Sequence, residues 1–298
     1  MKIAVTGASG FIGRHVLNTL LSEKSEIFAI TRDAKKLANL DKRINIVELN
    51  TNDSDLNFFE KTGSPDVLIH LAWDGLPNYK SLHHFEAELP MQHNFLKSMI
   101  DAGLPSLLVT GTCFEYGMQS GPLSADMPTK PNNPYGYAKD ALRKQLEFLK
   151  STKQFNLTWA RLFYMYGGGQ PSTSLFPKLK EAVSRGDEVF NMSGGEQLRD
   201  YLPVSDVARN IVQLAIAQCD LGPINICSGN PISVRRLVEQ WISENNWNIK
   251  LNPGYYPYPD YEPMAFWGVT NKVHTHDQID HNEEKYKGNF VLKNNTCL

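Results

Sequence analysis

Three glycines spaced three apart stand directly behind the first apolar run of this chain. Ile3-Ala4-Val5 closes on Thr6, and Gly7, Gly10 and Gly13 follow. A short strand that runs through such a turn into a helix is the opening of a βαβ unit. Each glycine has a reason. Gly7 permits the tight turn, Gly10 lets the backbone approach a pyrophosphate, and Gly13 lets the helix pack closely on the strand. The helix N-terminus then offers free N–H groups and the positive end of its dipole. A ligand-free glycine turn would contain the same letters, but this position predicts a dinucleotide cradle formed by Gly7, Ser9, Gly10, Phe11 and Ile12.

The rest of the first half alternates strand and helix signals. Residues 14–21 have helical spacing, with Val16, Leu17, Leu20 and Leu21 apolar. Apolar runs at 27–30, 44–49, 67–72, 107–110 and 157–163 read as strands. Buried runs separated by helices imply a parallel sheet covered on both faces. The expected fold class is therefore α/β, a doubly wound parallel sheet, with a smaller C-terminal lobe for substrate. In the second half, 175–185, 204–217 and 233–245 read as helices, the second capped by Ser205. Residues 224–226 read as a short strand, and 252–267, rich in Pro, Tyr and Gly, as loop. The expected division is 1–164 with 199–227 for the dinucleotide, 165–198 with 228–271 for the substrate, and a polar tail over 272–298.

A length of 298 residues suits one large domain with an added lobe. The formal net charge of -2 and a charged fraction of 21% give no overall field for nucleic acid or an anionic membrane. Cys113, Cys219, Cys227 and Cys297 lack metal spacing and disulfide-scaffold density, which fits a reduced, cytoplasmic setting. No run has transmembrane length, and the first residues lack the apolar core of a signal peptide. His274, His276 and His281 have no supporting ligands, so no metal is expected.

Cofactor choice is set near the end of the second strand, at Thr31-Arg32-Asp33. An acidic side chain there bonds the ribose of NAD, whereas an arginine pairs with the 2′-phosphate of NADP. Arg32, with Arg14 as a second phosphate ligand, points to NADPH; NADH stays open.

The catalytic candidates lie in Tyr135-Gly136-Tyr137-Ala138-Lys139. Asn133 suits an N-cap and Pro134 the first helical position. Tyr135 and Lys139 then share one helix face. An ammonium near a phenol favours the phenolate, which makes the tyrosine an acid or base for a carbonyl–alcohol pair. Thr112, just past a strand, can bond the same substrate oxygen. Leu142, Leu146 and Leu149 mark the core side of this helix, part of which could be a dimer seam. His70 reads as a core or cofactor-adjacent residue, and His83 and His84 as solvated.

Taken in order, the chain resembles the extended short-chain dehydrogenase/reductase family of nucleotide-sugar epimerases, dehydratases and ketoreductases. The resemblance rests on residues 6–13, Asp66-Val67-Leu68-Ile69-His70-Leu71-Ala72, Thr112 with Tyr116-Gly117, 135–139, Arg161 with Tyr166-Gly167, and 199–208. It implies a Thr112/Tyr135/Lys139 catalytic set, with Lys139 also on the nicotinamide ribose, and a homodimer. It places Asn50, Leu71 and Ala72 on the cofactor. Trp73 falls at the nicotinamide and substrate, and Cys113 and Tyr164 against the substrate. Phe176 flanks the nucleotide and Arg199 meets the diphosphate. Cys113 and Phe114 replace the acidic pair of the family's dehydratases, which removes that chemistry. The expected activity is NAD(P)H-dependent reduction of a nucleotide-linked 4-keto-6-deoxysugar, as in deoxysugar or surface-polysaccharide precursor synthesis. An NAD-retaining 4-epimerase is the alternative, and a non-catalytic NADP-sensing or RNA-binding relative is disfavoured by the intact Tyr135 and Lys139.

Overall fold

A computed structural model describes residues 1–53 and 57–270. The expectations for the tail, including its histidines and Cys297, lie outside these residues. The centre is a seven-stranded sheet. Its strands are β1 (Lys2–Thr6), β2 (Glu26–Thr31), β3 (Ile44–Glu48), β4 (Val67–His70), β5 (Ser106–Thr112), β7 (Asn156–Leu162) and β11 (Gly222–Ile226). Their order is β11-β7-β5-β4-β1-β2-β3, and every pairing is parallel. Parallel strands buried on both faces need near-continuous apolar sequence, and the runs read from the sequence supply it.

The strand order turns back on itself between β1 and β4. Connections leave those two strands toward opposite sides, so a crevice opens beyond their carboxyl ends. Six helices and one short helical turn surround this frame: α1 (Phe11–Leu20), α2 (Phe58–Lys61), α3 (Leu89–Asp101), α4 (Pro134–Leu149), α5 (Leu175–Arg185), α6 (Val204–Ala217) and α7 (Val234–Glu244). Val16, Leu17 and Leu20 of α1 pack with Val207, Ala208 and Ile211 of α6 on one face of the sheet. Phe95, Leu96 and Met99 of α3 and Leu142 and Leu146 of α4 cover the other, with Leu149 at its edge.

A separate cluster lies beyond the sheet, where Leu179 and Ala182 of α5 meet Leu237, Val238 and Trp241 of α7. Short strands tie this region down. β8 (Tyr164–Tyr166), β10 (Leu198–Pro203) and β12 (Pro231–Ser233) form one small sheet, and β9 (Val189–Asn191) pairs with β13 (Lys250–Asn252). β6 (Gly121–Leu123) pairs in parallel with β14 (Phe266–Gly268).

The structure corrects the sequence reading at several boundaries. α1 begins at Phe11, directly behind Gly10, rather than at Arg14. β4 stops at His70, because the Leu71 and Ala72 N–H groups leave the ladder and donate to Thr6 Oγ1 at 3.2 and 3.3 Å. Ser205 does not cap α6; Pro203 holds the cap position, with no side-chain bond. Ser233 caps α7 instead of belonging to it, accepting from the Arg236 N–H at 3.2 Å. The end of the expected 252–267 loop enters β14, where Phe266 supplies a buried side chain.

Candidate active site

The crevice beyond β1 and β4 is a cleft of about 320 Å³ lined by Gly7, Ser9, Gly10, Thr31, Arg32, Asn50, Leu71, Ala72 and Trp73, among others. The backbone here is close-fitting. A Cβ on Gly13 would lie 2.2 Å from the Gly7 carbonyl oxygen, and one on Gly7, whose φ is +66°, 2.9 Å from Ala72 N. Gly10 ends the turn as the N-cap of α1 and brings no side-chain bond to it. The first N–H groups of α1 are thus left for an outside acceptor, which is what a pyrophosphate requires. The cleft fits a dinucleotide on these grounds. Gly7, Ser9 and Gly10 would hold the pyrophosphate, and Thr31, Arg32 and Asn50 line the arm beyond β2.

Arg32 and Arg14, both read as phosphate ligands, stand differently. Arg32 lines the cleft, exposed, 3.9 Å from Asp74. Arg14 turns onto backbone, donating to the carbonyls of Lys36 at 2.8 Å and Ser9 at 3.2 Å. Asp33 accepts from the Lys35 N–H at 3.0 Å and so caps the turn after β2. Phe11 packs edge-on to His15, 5.8 Å between centroids, with Ile12 against the α1 core.

Under the cleft, Thr6 fixes a histidine. Its hydroxyl accepts from Leu71 and Ala72, so its own proton goes to His70 Nδ1 at 2.9 Å. His70 then carries its proton on Nε2. Burial, with Lys139 nearby, drives its pKa down to about 3, so it is neutral.

Tyr135 and Lys139 lie one turn apart in α4, whose start is capped as the sequence predicts: the Gly136 N–H donates to Asn133 Oδ1 at 2.8 Å. Lys139 is fully buried. Its ammonium donates to the Thr110 carbonyl at 2.9 Å and lies 4.0 Å from the Trp73 ring centroid. Desolvation lowers its pKa to about 7, against the opposing pull of Glu115 and Glu88. The expected lowering of the tyrosine is not what the structure shows. Burial raises the Tyr135 phenol, with Tyr79, Glu115 and Cys113 adding to it and Thr112 offsetting it. Lys139 points to Thr110 and Trp73 rather than at the phenol, so desolvation wins.

Thr112 ends β5 and caps the turn that follows, its hydroxyl accepting from the Phe114 N–H at 3.3 Å while Glu115 Oε1 accepts from its own N–H at 2.9 Å. Glu115 is the anchor: fully buried, it takes the Arg161 Nε–H at 2.6 Å and the Trp159 indole N–H at 2.9 Å. Sequence reasoning missed Glu115 as a site residue; its spacing of three from Thr112 was the available signal.

His84 corrects the solvated reading. It is fully buried beside Tyr135, centroids 5.2 Å apart. Its Nδ1 accepts the Trp73 indole N–H at 3.1 Å, and its Nε2–H donates to the Asn78 carbonyl at 2.8 Å. Burial lowers its pKa, consistent with a neutral ring. It belongs to a π-helical turn, His84–Glu88, that also aims Glu88 into the cleft wall. Glu88, likewise missed, accepts from the Asp74 N–H and Gln92, both at 3.0 Å. Tyr79, Trp73, Phe114 and His84 together box the Tyr135 ring.

The remaining substrate candidates lie farther out. Cys113 is a free, buried thiol whose pKa burial raises. Phe176 packs on Trp241, 4.9 Å between centroids. Tyr164 donates its hydroxyl to Glu262. Arg199 is 3% exposed and pairs with Glu262 at 3.1 Å. Its Nη1 donates to the carbonyls of Leu198 at 2.9 Å and Met264 at 3.1 Å.

A glycine cradle at the switch point of a parallel sheet, with a boxed Tyr and a buried Lys one turn apart, defines a Rossmann-type site for hydride chemistry. The chain belongs to the NAD dependent epimerase/dehydratase family, which matches residues 3–227. It is 33% identical, over 90% of its length and 100% of the relative's, to a dTDP-6-deoxy-L-talose 4-dehydrogenase (NAD(+)) of Aggregatibacter actinomycetemcomitans. It is 28% identical to a GDP-6-deoxy-D-talose 4-dehydrogenase of the same organism, over 89% of this chain and 87% of that one. Among solved structures, it is similar to MoeE5 in complex with UDP-glucuronic acid and NAD, with 25% identity, a TM-score of 0.76, and coverage of 91% and 90% of the two chains. The activity that follows is nucleotide-sugar 4-dehydrogenase or epimerase chemistry. No helix among the described residues is long and apolar enough to cross a membrane.

Proposed function

We propose that this enzyme moves hydride between an exchangeable nicotinamide dinucleotide and carbon 4 of a nucleotide-linked 6-deoxyhexose, acting as a 4-ketoreductase. One observation supports the reading: Trp73, on the wall of the cleft, packs against Tyr135 at 6.0 Å between centroids and lies 4.0 Å from the Lys139 ammonium. The nicotinamide supplies or takes the hydride when bound. Thr112 orients the sugar oxygen, and Tyr135 gives it a proton as charge develops there. Lys139 holds its ammonium by Thr110 and Trp73, where the nicotinamide ribose would lie. The aromatic box excludes water from the phenol. Cys113 and Phe114, both buried, offer no acid or base for dehydration.

Three relatives are named for 6-deoxytalose, and the names of the two dTDP-sugar enzymes among them carry NAD(+) and NAD(P)(+). Arg32 on the cleft wall, with Asp33 engaged as a cap, favours NADPH. We also propose that the α5–α7 region, with Phe176 in its core, forms the sugar-nucleotide lobe.

The test follows reduced-cofactor absorbance with a dTDP- or GDP-linked 4-keto-6-deoxyhexose. Consumption of both, abolished in Tyr135→Phe, supports the reading. Protein that purifies with NAD bound and interconverts C4 epimers without net oxidation replaces it with the epimerase.

A further inference from the structure

The substrate side carries a carboxylate that no step above uses. Glu262 lies in the stretch before β14, which the β14–β6 pairing and the Leu198–Ala265 bridge fasten to the body. Its Oε1 takes an Arg199 N–H at 3.1 Å, and its Oε2 takes the Tyr164 hydroxyl. A carboxylate offers roughly four acceptor positions, so each oxygen can accept once more. Its side chain stays 10% accessible, against 3% for Arg199.

Arg199 is committed elsewhere. Both its Nη atoms are engaged, and its guanidinium lies 4.6 Å from the Phe266 ring centroid. In this arrangement it supports a carboxylate, and the paired carboxylate repels a phosphate.

The carboxylate adjoins the reaction site. Cys113, next to Thr112, lies in a buried cluster against which Tyr164 packs, and Tyr164 donates its hydroxyl to Glu262. Tyr261, the preceding residue, lies 5.9 Å from Tyr79 and 6.0 Å from Phe114, and both of those rings touch Tyr135. One aromatic wall therefore runs from the catalytic phenol to Glu262. An acceptor-only group fixed by two donors on that wall matches a hydroxyl, which is the donor a sugar ring presents beside the reacting carbon.

We propose that Glu262 is a specificity-determining residue that accepts a hydrogen bond from a ring hydroxyl of the sugar, with Arg199 and Tyr164 as positioning residues for its carboxylate. This rests on the nucleotide-sugar reading above.

The test is a cycle. Wild type and Glu262→Gln are compared on a nucleotide-linked 4-keto-6-deoxyhexose and on analogues lacking its 2- or 3-hydroxyl. Glu262→Gln should lower kcat/KM on the full sugar by about 10- to 100-fold, the usual worth of a hydrogen bond to a charged group. The analogue without the bonded hydroxyl should lose that much in wild type and nothing more in the variant. Nucleoside diphosphate affinity, by calorimetry, should not change. An equal loss on every analogue makes the residue structural and overturns the proposal. Tighter nucleoside diphosphate binding in the variant also overturns it, because Glu262 would then be masking a phosphate site on Arg199. If Glu262→Gln does not fold, Glu262→Asp, which keeps the charge but withdraws it by one methylene, is read by the same coupling. Wild type that turns over no such sugar sinks the function and the inference together; turnover without coupling sinks the inference alone.

Discussion

The two ends of the cleft are built from different materials. The cofactor end is made of backbone: a glycine turn, an uncapped helix N-terminus, and the departing N–H groups of Leu71 and Ala72 drawn onto Thr6. The proposed sugar end is made of side chains from separate stretches, with Tyr164, Arg199 and Glu262 meeting only through the tertiary fold. A backbone site has little freedom to vary, because a single Cβ at Gly7 or Gly13 collides with main chain. A side-chain site can be rewritten one residue at a time. On the proposed reading, the sugar contacts are therefore adjustable while the backbone cradle stays fixed.

The sharpest test of that separation is at its boundary. Tyr135→Phe should lower kcat by about 100- to 10,000-fold, the range for a lost general acid, with the ring still packed in its box. Cofactor affinity, followed by fluorescence titration, should hold; if it falls in step, the two ends are not separable. Next in size, Arg32→Ala should weaken NADPH by about 10- to 100-fold and leave NADH unchanged, as loss of a charge-assisted contact would. Equal binding of the two cofactors by wild type would remove the role of Arg32.

Lys139→Met probes stability rather than rate. The folded pKa, about 7, is lowered from 10.5, so between those values the unfolded chain binds more protons. Burial of Lys139 therefore destabilises below about pH 7, and that penalty is relieved as pH rises toward 10.5. The variant should melt a few degrees higher at pH 7. Its melting temperature should also lack the relative gain that wild type shows on going to pH 10. A variant that melts lower would mean that the contacts to Thr110 and Trp73 outweigh desolvation. The smallest effect belongs to the sugar side: Ser233→Ala should cost about 1 kcal/mol in urea unfolding by uncapping α7. NADPH affinity should not change, and a change would couple the two ends.

The same division decides what could be read in advance. The cradle, the α4 cap at Asn133 and the Tyr135/Lys139 pair are short-range patterns, and each was visible within a few residues. His84 was misjudged because its burial depends on Trp73, Asn78 and Tyr135 closing around it. Lysine as a tuner of the phenol was a fair reading of spacing, but spacing does not reveal where an ammonium points. The role of Glu262 could not be read from its own stretch, since its partners lie on β8 and β10, far back in the chain.

The pairing of Phe266–Gly268 with Gly121–Leu123 also imposes an order on assembly. β6 leaves the ribosome early and waits for a partner at the far end of the described chain, so its closure is among the most non-local events in folding. The large sheet needs nothing beyond β11. A chain emerging from the ribosome can therefore complete the crevice beyond β1 and β4 while the stretch that carries Glu262 is still unmade.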